Sequence, residues 1–423
     1  MTAIQSIRHA ISNNKDELVV YAADSFPQFP RRDGAVTSKC DRGLASARAD
    51  DLVILRGELD QEYHGWLRSH QLGSDHVVAY NMPPHGETLS QLIVANPEPV
   101  KKKINELGKK PVYVPWFSTQ MESAATQAIG AELFGATEVD TLKHNDKATF
   151  KALCQKLQVP VVDGVAFEMQ PENSDNFHQM SSLVQRYRST HDTVIIRGTL
   201  GEAGISLYKT NGDDLVELYQ TIADSGERVV LIEPFLNVTS TPNDQWVIGR
   251  DGSITHIGML EQLCEGGMVH VGSLKGAGPS AQIFNVIKQT SLKIITAMAE
   301  DGYRGVTGFD YIVAKEGIFP VENNARFNGS SYVNLIVDNI EELMGPVPVW
   351  KFIKIKTTPC SFNELSKQIA SILYDGSKSN SVFPFNCEDL PRTGSFAVVL
   401  LAEDMVQIQQ LELALKELGV KRD

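Results

Sequence analysis

The sequence predicts an α/β protein of about three domains, in which an N-terminal parallel sheet precedes a strand-rich region and a small C-terminal cap. The chain has 423 residues, and single domains average roughly 150 residues. In residues 1–140 short, fully apolar runs alternate with helical patterns, which is typical of a parallel sheet covered on both faces. From about residue 141 strand patterns become more frequent, and the tail after residue 350 has the length of a cap.

The N-terminal region, residues 1–140, is predicted to be Rossmann-like. Its apolar runs, interpreted as buried strands, are 18–21, 52–55, 77–80 and 111–114. Helical patterns cover 87–95 and 121–134. No G-x-G-x-x-G sequence follows the first strand, so the pattern does not support a dinucleotide site there.

The first half of the next region, 141–232, contains a helix that starts near Lys147 with Asn145 as its N-cap, because apolar residues then recur at helical spacing. It ends before Pro160. Further predicted elements are strands at 161–167, 193–197 and 205–209 and a helix at 176–187. The last two strands flank a loop with three glycines, 198–204, which predicts an antiparallel hairpin.

The second half, 233–350, and the cap, 351–423, complete the predicted architecture. A strand at 228–233 leads into the second half, which contains strands at 246–248, 254–259, 306–314 and 318–323 and a long helix at 281–300. The cap contains helices at 363–374 and 405–418, a strand at 395–402 and a loop at 376–392.

Composition excludes several classes of protein. Thirty-nine basic and 52 acidic residues give a net charge of −13, which argues against a nucleic-acid partner because phosphate neutralisation needs a basic face. No apolar run approaches the roughly twenty residues of a membrane span. The five cysteines are far apart and form no C-x-x-C pair, so a disulfide framework or structural zinc is not expected. We expect a cytoplasmic protein.

An acid inside an apolar strand is the strongest indication of chemistry. Asp310 interrupts such a strand, and Glu322 and Asn324, two apart on the next strand, face the same way. If the two strands pair, Asp310 approaches that face. Carboxylate and amide oxygens without sulfur or histidine suit Mg²⁺. The alternative is a set of strand-end polar residues in water, although an unpaired acid within an apolar strand is costly.

Three further features are weaker when taken singly. Arg197 stands at the entrance of the glycine-rich loop, where backbone N–H groups can face an anion; a plain hairpin turn is the alternative. Lys147 alone reads as a solvated lysine. Glu233, which ends an apolar strand before a proline, reads as a strand boundary.

Taken in order, these elements resemble the ATP-grasp superfamily of carboxylate ligases over about residues 141–345, with the N-terminal region as the Rossmann-like pre-grasp domain. The matching series is Asp146-Lys147, Arg197 with its glycine loop, Glu233-Pro-Phe-Leu236, Gly308-Phe-Asp310 and Glu322-Asn-Asn324-Ala-Arg326. The resemblance implies a two-lobed grasp fold that uses ATP and Mg²⁺, which Mn²⁺ can replace.

The resemblance also implies nucleotide contacts. Lys147 would contact the α-phosphate, and Arg197 stands where the family usually has a lysine spanning phosphate and adenine. The glycine loop would close over the phosphates, and the segment after the first lobe would recognise adenine through its backbone. The residues concerned are Gly201 and Gly204 in the loop and Glu233, Pro234, Phe235 and Leu236 in the segment.

Further implied roles concern the metal, the reaction and the ribose. Asp310, Glu322 and Asn324 would hold Mg²⁺, and Arg326 would steady the acyl phosphate or the tetrahedral intermediate. The ribose-binding acid is not evident, because the chain departs from the family pattern after the hinge, and Asp244 is the candidate. Candidates for a further γ-phosphate cation are His270 and Lys275.

The implied activity is ligation: a carboxylate is activated as an acyl phosphate and joined to an amine, with release of ADP and phosphate. The layout is similar to pheganomycin-type peptide ligases and to the butirosin-type acyl-carrier ligase. Alternatives are transfer to a carrier-protein thiol, a catalytically silent nucleotide-binding module and a dinucleotide enzyme; the missing glycine fingerprint weighs against the last. Expected partners are small carboxylates and amines, a carrier protein and a second copy of the chain, with neither nucleic acid nor membrane.

Overall fold

The N-terminal region contains a five-stranded parallel sheet flanked by helices. The computed structural model describes residues 6–24, 39–80, 87–199, 206–266, 269–377 and 379–422. The strands are β1 (Glu17–Ala22), β2 (Leu52–Arg56), β3 (His76–Tyr80), β4 (Lys110–Pro115) and β5 (Glu132–Leu133), in the order β3-β2-β1-β4-β5. The helices are α1 (Ile7–Ile11), α2 (Arg42–Ser46), α3 (Gln61–Ser69), α4 (Leu89–Ala95), α5 (Glu98–Leu107) and α6 (Gln120–Ile129). The predicted parallel sheet is confirmed.

A four-stranded antiparallel sheet with helices spans residues 138–234, which we call the first lobe. Its elements are α7 (Glu138–Asn145), α8 (Lys147–Lys156), β6 (Val165–Glu168), α9 (Asn176–Arg188), β7 (Val194–Gly198), β8 (Leu207–Thr210), α10 (Leu215–Asp224) and β9 (Val229–Pro234). The sheet order is β6-β9-β7-β8. Antiparallel pairing of β7 with β8 confirms the predicted hairpin, whereas Gly201 and Gly204 lie outside the described residues.

The helix that carries Lys147 begins one residue later than predicted. Its N-cap is Asp146, whose carboxylate accepts a hydrogen bond from the Thr149 N–H at 2.7 Å. Asn145 instead ends α7, and its side-chain amide donates to the carbonyls of Thr141 and Ala325. Both residues are good caps, so sequence preference alone did not decide between them.

The second lobe, residues 238–344, and the cap, residues 349–422, share one ten-stranded sheet. The second lobe contains β10 (Val238–Ser240), β11 (Pro242–Ile248), β12 (Ile254–Glu265), β13 (Val269–Lys275), α11 (Ala281–Glu300), β14 (Gly305–Ala314), β15 (Gly317–Asn324) and α12 (Gly329–Met344). The cap contains β16 (Val349–Lys356), α13 (Phe362–Gln368), β17 (Ser381–Phe385), α14 (Leu390–Thr393), β18 (Ser395–Ala402), α15 (Met405–Glu417) and β19 (Lys421–Arg422).

The main path of this sheet is β10-β14-β11-β12-β13-β16-β18-β17, with β15 paired to β14 and β19 to β16. The cap is therefore continuous with the second lobe, and the boundary predicted after residue 350 falls inside β16. The predicted loop at 376–392 is wrong, because it contains β17. That strand lies at the end of the sheet order, where Pro384 is tolerated despite its missing N–H.

The N-terminal region packs against both the second lobe and the cap. Tyr63 of α3 meets Phe362 of α13 with ring centroids 5.0 Å apart. In α12, Asn339 donates a hydrogen bond to the Ser46 carbonyl at 3.0 Å. At the other end of α12, the Phe327 N–H donates to the Trp116 carbonyl at 3.2 Å, which places the start of the helix beside the carboxyl end of β4. None of the helices in the described ranges has the length and hydropathy that a membrane crossing requires.

Candidate active site

Two carboxylates and an amide lie on one face of the β14–β15 hairpin. Asp310 in β14 is directly opposite Glu322 in β15. Asn324 follows two residues after Glu322 and donates a hydrogen bond from Nδ2 to Asp310 Oδ2 at 3.0 Å. Residues two apart on a strand share a face. The structure thus brings together the three side chains that the sequence placed on one face.

The donor set of this acidic face fits a magnesium ion. Burial, followed by the negative charge of Glu322, raises the pKa of Asp310 to about 7. A cation held between the two carboxylates would remove that repulsion, and carboxylate and amide oxygens are ligands that Mg²⁺ accepts. No cluster of three or more His, Cys, Asp or Glu residues suited to a metal occurs in the described part of the chain. The Asn324 amide oxygen is the third oxygen on this face, and it accepts a hydrogen bond from Arg326.

Asn243 of β11 joins the acidic face and was not found from the sequence. It is paired in register with Asp310, and its Nδ2 donates a hydrogen bond to Asp310 Oδ1 at 2.5 Å. Gln245, two residues on, donates to Asn243 Oδ1 at 2.7 Å and to Asn328 Oδ1 at 3.0 Å. This amide network connects Asp310 to the N-cap residue of α12. Side chains alternate between the two faces along β11, and this alternation was the signal from which Asn243 could have been found.

Gly308, two residues before Asp310, makes room for this network. A Cβ atom at that position would lie 2.9 Å from the side-chain nitrogens of both Asn243 and Asn328. Contacts that short are not tolerated, so a side chain there would displace the amides. Steric crowding by these two amides therefore explains why a glycine stands at position 308 of the Gly308-Phe-Asp310 sequence.

Two cations adjoin the acidic face. Lys147, the first residue of α8, places Nζ 3.1 Å from Glu322 Oε1. Arg326 donates from Nη1 to Asn324 Oδ1 at 2.6 Å and to Asn145 Oδ1 at 3.1 Å. Its guanidinium carbon lies 5.5 Å from the centre of the Trp116 ring. The structure brings Lys147 and Arg326 together with the predicted metal ligands.

Glu233, at the end of the first lobe, is held by two cations. Arg197 places Nη2 2.6 Å from Glu233 Oε2, and Lys151 places Nζ 2.6 Å from Oε1. Arg197 also donates from Nη1 to the Val321 carbonyl at 2.9 Å, which joins β7 to β15. Lys151 was missed from the sequence, although it lies four residues after Lys147 and so on the same helical face. The charge of Arg197 is directed at Glu233 in this structure.

In the segment from Glu233 to Leu236, as far as the described residues show, the backbone N–H of Leu236 has no backbone partner. Pro234 has no N–H, and the Phe235 N–H donates to the Thr193 carbonyl at 3.0 Å. No backbone hydrogen bond within the described residues uses the Leu236 N–H. The Phe235 ring is covered by Lys209, whose Nζ lies 3.7 Å from the ring centre. A planar ligand edge can therefore hydrogen-bond here through Leu236.

Asp244 does not share the face of Asp310, which corrects the expectation that it contacts the nucleotide. It is fully buried. Its Oδ2 accepts from the Trp246 indole N–H at 2.7 Å, and its Oδ1 lies 2.7 Å from His256 Nε2. Because alternate residues of β11 face opposite sides, Asn243 takes the functional side and Asp244 the other. Asp244 is a structural acid.

The two candidates for a further phosphate cation differ. Burial and the nearby Lys354 lower the pKa of His270 to about 4, so this side chain is neutral at pH 7 and supplies no positive charge. Its Nε2 lies 3.1 Å from Ser273 Oγ. Lys275 keeps a side chain that is 43% exposed, with Nζ 4.0 Å from Glu341 Oε1. Lys275 therefore remains the candidate for the further phosphate cation.

Solved structures resemble this chain over most of its length, although neither a scan against protein-family models nor a search of curated proteins returned a significant match. Biotin carboxylase from Campylobacter jejuni, in a β-γ-ATP complex, has a TM-score of 0.64 at 14% identity and covers 96% of this chain and 92% of its own. N5-carboxyaminoimidazole synthase from Aspergillus clavatus, with ADP and 5-aminoimidazole ribonucleotide, has a TM-score of 0.61 at 12% identity and covers 95% and 98%.

A third similar structure is N5-carboxyaminoimidazole synthetase from Staphylococcus aureus in complex with ADP. Its TM-score is 0.57 at 12% identity, and the match covers 94% of this chain and 96% of that one. At such low identities the likeness concerns the fold alone. The chain has the ATP-grasp fold, including the preceding parallel-sheet domain, as the order of sequence elements predicted.

Proposed function

We propose that this protein is an ATP- and Mg²⁺-dependent ligase that activates a carboxylate as an acyl phosphate and joins it to an amine, such as that of an amino acid or peptide. The observation that supports this most is the convergence of three oxygen ligands and two cations. Asp310, Glu322 and Asn324 lie on one face, with Lys147 and Arg326 in contact with it. Such a set neutralises and orients phosphates rather than performing covalent chemistry.

In the proposed complex, Asp310, Glu322 and Asn324 would hold Mg²⁺. The ion, when bound, neutralises charge on the outer phosphates of ATP. Lys147, whose Nζ already faces Glu322, would contact the α-phosphate. Its place at the start of α8 also directs the positive end of the helix dipole toward the anion.

The purine would bind at the end of the first lobe. The Leu236 N–H would donate to a ring nitrogen, and a neighbouring backbone carbonyl would accept from the exocyclic amine. Glu233 would act indirectly, since both of its carboxylate oxygens are paired with Lys151 and Arg197. These two cations would fix the segment rather than contact the base.

The proposed reaction has two steps. A carboxylate oxygen attacks the γ-phosphorus and ADP leaves; an amine nitrogen then attacks the acyl carbon, loses a proton, and phosphate leaves. Arg326 would hold the carboxylate in line and then stabilise negative charge on the acyl oxygen. Its orientation is fixed by Asn145, Asn324 and the Trp116 ring. Pre-positioning of this kind supplies much of the rate in phosphoryl transfer.

The experiment that tests this function is an ADP-release screen of the full chain with Mg²⁺ against a panel of amino acids and small peptides. For the active pair, an ¹⁸O-labelled carboxylate should transfer label to inorganic phosphate. Appearance of AMP and pyrophosphate would contradict the acyl-phosphate mechanism. Replacing the amine with a thiol acceptor distinguishes amide formation from carrier acylation, and absence of any turnover together with tight ATP binding would favour the silent module.

A further inference from the structure

Three charged side chains lie at the carboxyl edge of the N-terminal sheet, away from the acidic face. Arg56 is the last residue of β2, Asp24 follows β1, and Arg42 is the first residue of α2. In the order β3-β2-β1-β4-β5 the direction of winding reverses between β1 and β4. Open parallel sheets bind ligands in the crevice outside such a reversal.

Each of these side chains is buried and still has a polar atom without a partner. Arg42, Arg56 and Asp24 are 5%, 6% and 9% exposed. Within the part of the chain that the structure describes, the atoms Arg42 Nη2, Arg56 Nε and Asp24 Oδ1 have no hydrogen-bond partner. Buried polar groups are almost always paired, because leaving one unpaired is costly. The three open atoms can therefore hydrogen-bond to a ligand.

The same side chains are held in place through their other atoms. Arg42 Nε donates to the Ala23 carbonyl at 3.1 Å, and Arg56 Nη1 donates to the Glu87 carbonyl at 3.0 Å. Asp24 Oδ2 accepts from the Leu89 N–H at 2.9 Å. Backbone anchoring of this kind preorganises a site, since little freedom is lost when a ligand binds.

A chain of aromatic contacts connects this crevice to Arg326. The Arg42 guanidinium carbon lies 4.5 Å from the centre of the Tyr332 ring. Tyr332 packs on Phe327 with centroids 5.1 Å apart, and the Phe327 N–H donates to the Trp116 carbonyl at 3.2 Å. Trp116, which follows β4, is the residue that Arg326 covers. Two inter-strand spacings, about 10 Å, separate β2 from β4.

We propose that Arg42 and Arg56 bind an anionic group, a carboxylate or a phosphate, of the substrate whose reactive end lies at Arg326. Asp24 Oδ1 accepts an N–H or O–H of the same molecule. The planar guanidinium fork matches both kinds of oxyanion. The assignment to a substrate rests on the proposed ligase function, whereas anion binding in the crevice does not. The substrate class is thus a bifunctional molecule that carries an anionic end in addition to its reacting group.

The test is isothermal titration calorimetry of the full chain with inorganic phosphate and, separately, with succinate. Mg·AMP-PNP is present throughout, so that the nucleotide site is occupied. At least one probe should saturate the wild type, and succinamide, which is uncharged, should not bind. Arg42→Gln and Arg56→Gln should each weaken binding about tenfold or more, since a charge-assisted hydrogen bond is lost. The probe that responds tells phosphate from carboxylate.

Arg250→Gln is the matched control, because that guanidinium pairs with Glu17 and Glu132 on another part of the sheet. It should leave probe binding unchanged. Arg42→Lys and Arg56→Lys, which keep the charge but not the fork, should also weaken binding and serve where a glutamine variant does not fold. Saturation by neither probe, or equal binding by wild type and both arginine variants, would overturn the proposal.

The outcome separates the crevice from the ligase function. Arginine-dependent anion binding in a protein that releases no ADP with any substrate would support the crevice and contradict the proposed function. ADP release together with probe binding that does not depend on the arginines would support the proposed function and contradict the crevice. For an active substrate pair, the arginine variants should raise the KM of one organic substrate about tenfold while the KM for ATP stays unchanged.

Discussion

Asp310 and Asp244 lie on neighbouring strands of one sheet and show two different uses of a buried acid. Asp244 has both oxygens engaged, by the Trp246 indole and by His256. Asp310 faces a second carboxylate, and the charge of Glu322 contributes to its raised pKa. Both oxygens of Asp310 also accept hydrogen bonds, from Asn243 and Asn324, but the facing carboxylate adds a repulsion that Asp244 does not meet; in this sense the first acid is complete and the second is not. A facing carboxylate, rather than burial, distinguishes the acid that we propose as a metal ligand.

The largest effect is expected for substitutions on the acidic face. Glu322→Gln removes one of the two negative charges, so ADP release should fall about thousandfold, equivalent to roughly 4 kcal/mol in the barrier. The fold should persist because the change is nearly isosteric, and Asp310→Asn should behave alike. Steady-state ADP release and circular dichroism measure the two properties. Glu316→Gln, in the exposed turn of the same hairpin, is the control and should retain wild-type turnover.

The second prediction concerns Glu233, a buried acid whose charge is balanced by Lys151 and Arg197. Lys151→Met leaves Glu233 with Arg197 alone, and removal of one partner from a buried ion pair costs about 3 kcal/mol. Urea unfolding should show that loss in the free energy of unfolding. Lys156→Met at the solvent-facing end of the same helix is the comparison; equal stability of the two variants would show that the buried pair contributes nothing.

Asp244→Asn tests whether the acid with both oxygens engaged within the chain contributes to stability rather than to turnover. A charge-assisted hydrogen bond is lost, so the free energy of unfolding should decrease by about 2 kcal/mol. Turnover per folded molecule should stay within about twofold, because the side chain faces away from the acidic face. A large fall in kcat without loss of stability would return Asp244 to the nucleotide site.

The smallest effect is expected at Gln245, which touches the functional face only through Asn243 and Asn328. Gln245→Met keeps the volume but removes the hydrogen bonds that orient those amides. We expect kcat to fall about tenfold, equivalent to roughly 1.4 kcal/mol, with the KM for ATP unchanged. Loss of stability with normal kcat would instead assign the amide network a purely structural role.

Much of the fold and the acidic face could be predicted from short-range pattern. The apolar runs indicated the parallel sheet, and an acid within an apolar strand indicated Asp310. The spacing of two between Glu322 and Asn324 then defined a shared face. Such features follow from strand alternation, which the sequence displays directly.

Other parts depend on contacts that no local pattern contains. Asn243 matters because its strand lies in register with Asp310, 67 residues away. Asp244 was misplaced by a single residue of that same strand, and one residue reverses the face of a side chain. Arg42 and Arg56 carried no motif, and only the packing of α12 on the N-terminal sheet shows their relation to Arg326.

The continuous sheet of the second lobe and the cap has a consequence for dissecting the protein. Strand β13 has β12 on one side and β16 on the other. A chain shortened before residue 349 would expose the full hydrogen-bonding edge of β13, and unprotected edges of this kind recruit other chains. We therefore expect the cap to prevent edge-to-edge polymerisation, and the two lobes without it to aggregate even though every residue of the acidic face would still be present.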